Sequence, residues 1–311
     1  MTTALYSHTD SNAHVTPKGH PERVERLEAV EAALSDDRFA ALDRRDAPLA
    51  NRSELLRCHP ERYVTKIEAA IPADGSRALD ADTHVSPGSW AAALRAVGAA
   101  VAAVDAVLDD EVANAFCATR PPGHHAEAEK SMGFCLFGNA AIAAKHALDQ
   151  HGLSRVAVVD IDVHHGNGTQ ELLWGEKRTL FLGSHQMPLW PGTGGRDETG
   201  AYGNVMNLPL DPGTNGAGFR RTWETHGLPA LDAFAPELIV ISAGFDAHED
   251  DPLAQLALKE ADFAWITEAL CDLADTHAGG SVVSTLEGGY DLNALAASTA
   301  AHVDVLMRRG K

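Results

Sequence analysis

Cysteine is scarce in this 311-residue chain, with Cys58, Cys117, Cys135 and Cys271 far apart and in no paired spacing. That excludes a disulfide framework and a cysteine zinc knuckle, and leaves reduced, buried thiols as the expectation. Positive charge is scarce too: 25 Lys and Arg stand against 44 Asp and Glu, for a formal net charge of −19. Non-specific nucleic-acid binding draws on Lys and Arg displacing condensed counterions, so no nucleic-acid partner is expected. The acidity suits solubility first and a cationic small substrate second. No run approaches the ~18 consecutive apolar residues of a membrane span, so no membrane partner is expected. The opening Met1-Thr2-Thr3-Ala4-Leu5-Tyr6 soon turns polar, which gives the expectation of no signal peptide and a cytoplasmic protein. Repeats, low-complexity tracts and Ser/Gly linkers are also missing, and one domain over residues 1–311 is the economical organisation.

What is present is an alternation of two patterns. Continuous apolar runs at 115–118, 156–159, 179–182, 238–241 and 281–286 read as buried strands of a parallel sheet. Between them, apolar residues step by three or four. The stripes run through Val24, Leu27, Val30 and Leu34, through Trp90, Leu94, Val97, Val101, Val104 and Leu108, and through Phe263, Ile266, Leu270 and Leu273. A last helix passes Leu292, Leu295, Val303 and Leu306 and ends on Arg308 and Arg309, which suit the negative end of its dipole. Strand and helix in alternation predict an α/β domain with a parallel sheet covered on both faces.

Four of the segments after predicted strands carry chemistry. The run 156–159 leads into Asp160-Ile-Asp162-Val-His164-His165-Gly-Asn167-Gly. Residues two apart in extended chain share a face, so Asp160, Asp162 and His164 point the same way, as a divalent metal would require. The run 238–241 leads to Gly244-Phe-Asp246. Ligands of open α/β sheets collect beyond the carboxyl ends of strands, where Asp162, His164 and Asp246 converge; three protein ligands leave one position open for water. After 115–118 come His124 and His125 on a Gly-bounded loop, candidates for proton transfer near neutral pH. After 281–286 comes Glu287-Gly-Gly-Tyr290, whose phenol is a candidate oxyanion donor. Singly, these are a helix cap, a solvated loop and a turn. Their recurrence after four strands points to one site.

These strings resemble the histone deacetylase family, in particular its class II and bacterial members. The resemblance rests on His20-Pro-Glu-Arg23, Arg120-Pro-Pro-Gly-His-His-Ala126, Gly133-Phe-Cys135, Asp160 to Gln170, Pro191-Gly-Thr-Gly194, Gly244-Phe-Asp-Ala247 and Glu287-Gly-Gly-Tyr290, in the family's order from about residue 5 to 295. It implies the arginase/deacetylase α/β fold with an eight-stranded parallel sheet. It implies one catalytic Zn2+ on Asp162, His164 and Asp246, with His125 as general base and acid and His124, braced by Asp160, as an electrostatic partner. Asn167 then orients His125, Tyr290 stabilises the transition state, and Gly133, Phe134 and Trp190 wall the channel. By the same resemblance Leu253 is the gatekeeper, Asp82 the rim carboxylate, and Arg26 the buried arginine of the internal pocket. A structural K+ is implied beside Asp160, Asp162 and His164, with Ser184 standing in for the serine that the family has at Gly183.

The reaction so implied is hydrolysis of an acyl-amide, acetyl-lysine in peptides or proteins before acetylated polyamines. Glu249, Asp250 and Asp251 near the expected mouth favour a cationic amine; apolar Leu253 and the lack of a long insertion between residues 75 and 95 oppose it. A non-catalytic acyl- or metal-binding module is the reading from another class, and retention of His124, His125 and Tyr290 opposes it.

Overall fold

A computed structural model describes residues 2–310. Ten strands form in chain order: β1 Thr3–Ser7, β2 Asp43–Asp46, β3 Arg77–Ala78, β4 His84–Val85, β5 Asn114–Cys117, β6 Val156–Asp160, β7 Thr179–Gln186, β8 Val205–Leu210, β9 Leu238–Ala243 and β10 Val282–Leu286. Eight of them make one sheet in the order β2-β1-β5-β10-β9-β6-β7-β8, parallel at every pairing. β3 and β4 pair separately as a short antiparallel ribbon.

The five apolar runs became β5, β6, β7, β9 and β10, as expected of strands buried on both faces. Neighbouring residues feed opposite cores. Val156, Val158 and Val240 pack on one face with the Ser89–Leu108 and Asn139–Gln150 helices. Ala157, Val159, Ile239 and Ile241 pack on the other with Val24–Ala33, Glu260–His277 and Leu292–Arg309. The edge strands had no continuous apolar run to read. β2 is Asp-Arg-Arg-Asp, where charge is an asset because it discourages edge-to-edge pairing. β8 tolerates Pro209 because an edge strand can forgo one amide donor.

The Ser89–Leu108 helix, with mean hydropathy 1.8, is by length and composition apolar enough to cross a membrane, although Arg95 and Asp105 interrupt its apolar run. Two-thirds of it is buried inside the domain, so its apolarity has a packing cause. Small residues such as Ala96, Ala99, Ala100 and Ala103 bring it close to the sheet on more than one narrow stripe. At the last helix, Arg309 pairs with Glu268, Asp272 and Asp275, so Arg309 also ties two helices together beyond serving the dipole.

The strand order decides the site. β5, β10, β9 and β6 are adjacent at the centre of the sheet. The loops leaving their carboxyl ends hold the tandem histidines, the Gly-Gly-Tyr segment, Asp246 and the Asp162/His164 pair, respectively.

Candidate active site

Asp162, His164 and Asp246 come together with one ligand atom each inside a 4.8 Å circle. His164 Nδ1 lies 3.2 Å from Asp162 Oδ1 and 3.1 Å from Asp246 Oδ2. Backbone amides hold both carboxylates: Gly288 N–H donates to Asp162 Oδ2 at 2.8 Å, and Val163 N–H to Asp246 Oδ1 at 2.8 Å. Burial by itself would raise the Asp162 carboxyl, yet His124 and His164 hold it well below the usual range. Burial and the neighbouring Asp162 charge push Asp246 up to about 7. His164 is driven to about 10 because its two carboxylates outweigh its burial. Two buried carboxylates sharing one imidazole form an excess of negative charge, and this donor set fits a divalent transition metal. Gly288 leaves the necessary room, since a Cβ there would sit 2.5 Å from Asp162 Oδ2.

The two histidines beside this centre are tuned in opposite directions. His124 Nδ1 donates to Asp160 Oδ2 at 3.0 Å, and its Nε2 lies 3.7 Å from Asp162 Oδ2. Burial disfavours its charge, but Asp162 and Asp160 prevail and raise its pKa well above normal. His125 is pushed well below normal by burial and by the adjacent His124 and His164. Its tautomer follows from a chain of partners. Asn167 Nδ2 donates to Glu127 Oε1 at 2.8 Å, which turns the amide oxygen toward His125. His125 Nδ1–H donates to that oxygen at 2.8 Å, leaving Nε2 with a free lone pair.

Tyr290 stands across the same space. Burial raises its phenol well above the ordinary value, so it remains a donor. Its backbone N–H donates to Asp251 Oδ2 at 2.7 Å, and the Arg26 guanidinium lies 4.9 Å from its ring centroid. Arg26 is fully buried and donates to the carbonyls of Gly289 at 2.6 Å and Glu287 at 2.5 Å. Glu22 joins Arg26 to Arg120, and although burial opposes its charge, Arg120 and His14 hold its carboxyl well below the usual range.

A cavity of about 190 Å3 opens onto these groups, lined by Asp82, His125, Gly133, Phe134, His164, Leu189, Trp190, Leu253 and Tyr290. The Phe134 ring is edge-on to Tyr290 at 5.8 Å, and Trp190 is edge-on to His125 at 4.7 Å. Gly133 has φ of +55°, and a Cβ on it would meet Trp190 Cη2 at 2.7 Å, so glycine keeps the slot open.

The histone deacetylase domain profile matches residues 20–306. This chain belongs to the histone deacetylase family. It is 40% identical to the histone deacetylase-like amidohydrolase of Pseudomonas aeruginosa over 277 residues, covering 88% of this chain and 73% of that one. A probable deacetylase of Archaeoglobus fulgidus is 38% identical, with 94% of this chain and 82% of the relative covered. The crystal structure of the HDA15 HD domain superposes with a TM-score of 0.94 at 33% identity, over 99% of this chain and 89% of the other. Family membership makes the protein a deacetylase or amidohydrolase acting on an acylated amide, with the metal dependence general to histone deacetylases.

Ser184 lies elsewhere than expected. Along β7, Phe181 and Gly183 face the side of Asp160, whereas Ser184 faces the opposite core. Its hydroxyl accepts from Trp223 Nε1 at 3.1 Å, so it does not replace the missing Gly183 hydroxyl beside Asp160. The acidic group proposed at the mouth is also dispersed. Asp251 is buried and accepts from the backbone of Tyr290 and Leu253, and Glu249 pairs with Lys259 at 3.0 Å.

Sequence reasoning passed over several supporting residues. Glu127 sets the Asn167 amide, and Glu287 accepts from the amides of Gly123 and His124 at 2.7 and 3.1 Å. Burial pushes Glu287 up to about 7. Glu22 and Glu287 stood inside the family strings, but nothing in a string tells a buried ion pair from a solvated carboxylate. Glu127 and Leu189 lay outside any readable pattern.

Proposed function

We propose that this member of the family is a zinc-dependent deacetylase whose preferred substrate is Nε-acetyl-lysine in peptides or proteins, with acetate as a product. The observation that carries the reading is His125: its Nδ1–H is engaged by Asn167, and its free Nε2 shares a narrow cavity with His164 and Tyr290, while burial favours its neutral form. Asp162, His164 and Asp246 would hold the ion. Zinc bound there supplies polarisation of the amide carbonyl and acidification of a water to a pKa of ~7.

His125 Nε2 takes a proton from the attacking water, and the Asn167 oxygen supports the resulting imidazolium through Nδ1–H. The same proton then passes to the leaving lysine nitrogen. Tyr290 donates its hydroxyl to the developing oxyanion, having stayed protonated through burial. Phe134, Trp190 and Leu253 exclude water and accept an unbranched aliphatic stem. Support for a peptide over a free polyamine comes from the mouth, where Asp251 and Glu249 are already engaged and Leu253 is apolar.

Initial rates on an acetyl-lysine peptide and on a monoacetylated diamine, measured in parallel, test the substrate class. A higher kcat/KM on the peptide is expected. The opposite ranking transfers the assignment to an acetylpolyamine amidohydrolase, and no hydrolysis of either points to another acyl group or to a binding module.

A further inference from the structure

We propose that Asp105, His146 and His151 form a second metal site, suited to a borderline divalent transition ion such as zinc, at the end of the sheet opposite the active site. Asp105 lies near the end of the Ser89–Leu108 helix, and His146 and His151 at the end of the Asn139–Gln150 helix. Those ends lead into β5 and β6 at Asn114 and Val156. The cluster therefore sits beside the amino ends of the strands, while the catalytic loops leave the carboxyl ends.

His146 Nε2 and His151 Nε2 converge on one atom, Asp105 Oδ1, at 2.6 and 2.7 Å. All three donor atoms fall within 4.8 Å of one another. The chain is turned to achieve this. The helix stops at Gln150, and Gly152 takes φ of +71°, which only glycine adopts cheaply, so that His151 folds back to stand 5.7 Å from His146, ring centre to ring centre.

The ion-pair partners of Asp105 among the described residues are the two histidines, with no Lys or Arg. His146 is buried with an unpartnered Nδ1, so no second hydrogen bond fixes its proton on Nε2. His151 Nδ1 has Asp109 Oδ1 4.0 Å away, beyond hydrogen-bond reach, as its nearest carboxylate besides Asp105. Two imidazoles and one carboxylate select zinc, cobalt, nickel or copper over magnesium or calcium.

Tetrahedral ligation at zinc–ligand distances of about 2.1 Å places donor atoms about 3.4 Å apart, so the carboxylate must withdraw by about 0.8 Å to admit an ion. It is free to do so, because the Asp105 side chain is 45% exposed. Water completes the shell from the same side. An ion there would staple the longest core helix to its neighbour.

Metal content decides the matter. Full-length enzyme carrying its catalytic metal is equilibrated with zinc, dialysed, and its metal counted by mass spectrometry, alongside Asp105→Asn and His151→Ala. Melting curves establish that each variant is folded. Two ions per chain in the wild type and one in each variant are expected, with catalytic turnover unchanged in both. Cobalt gives a second readout: a visible absorption band that grows with the second equivalent in the wild type and is missing from His151→Ala. A single ion in the wild type, or a second ion that persists in both variants, overturns the proposal. Turnover reports on the other site, so the deacetylase reading and this one fail separately.

Discussion

Tyr290 and His125 show what single residues contribute. Both are buried, and burial drives each toward its neutral form: a phenol that still donates and an imidazole that still accepts. Replacing Tyr290 with Phe keeps the ring against Phe134 and Arg26 but removes the donor. Turnover is expected to fall by roughly 10²–10³, the usual cost of one oxyanion donor, with the metal retained. Steady-state kinetics together with a metal count check this, and unchanged turnover would remove Tyr290 from the mechanism. At this scale the sequence was highly legible. Asp162, His164, Asp246, His124, His125 and Tyr290 are all where their strings implied, in one cavity or against it. The misreading of Ser184 has a simple cause. Moving a hydroxyl one residue along a strand moves it to the other face.

Strand ends and the loops leaving them do the positioning. The Glu287-Gly-Gly-Tyr290 loop brings a glycine against the carboxylates of Asp162 and Asp246, and its Gly288 N–H binds Asp162. Gly288→Ala would place a Cβ 2.5 Å from Asp162 Oδ2 and 2.8 Å from Asp246 Cγ, which backbone bonds prevent from yielding. The expected outcome is a folded protein that loses its catalytic metal on dialysis, seen as a metal count short by one ion. A fully loaded variant would show that the loop gives way instead. Elements with continuous apolar runs could be read from sequence, but β1, β2 and β8 could not be told apart from loops. β2 and β8 are edge strands, each made by its one neighbour and needing no continuous apolar run, and the inner strand β1 is the short Thr-Ala-Leu-Tyr-Ser with polar ends.

Across the whole molecule, burial of ionisable groups links stability to pH. His302 donates to or accepts from Thr267 and Ser284 at 2.7 and 2.9 Å in the core, and burial lowers its pKa to about 3. Burial likewise lowers His59 to about 4. In the unfolded chain each returns to about 6.5, so the unfolded state binds more protons between those values. The stability they contribute is complete above about pH 6.5 and is lost as pH falls toward 4, each at about 1.4 kcal/mol per pH unit where the unfolded imidazole is charged. Urea unfolding of wild type and His302→Leu from pH 7 to pH 4.5 should show a shallower slope in the variant, by about one proton. Equal slopes would mean that His302 titrates normally in the fold.

Residue type and spacing put Asp162, His164, Asp246, the tandem histidines and Tyr290 directly after strands and set the alternation that makes an α/β sheet, because each is a local property of the chain. The strand order was decided only in three dimensions. It sets β5, β10, β9 and β6 side by side, although their loops are separated by up to about 160 residues of chain. The same holds for the Glu127 contact that fixes the tautomer of His125, and for the meeting of Asp105 with His146 and His151. Such contacts arise from packing between segments distant in sequence, and no local pattern encodes them.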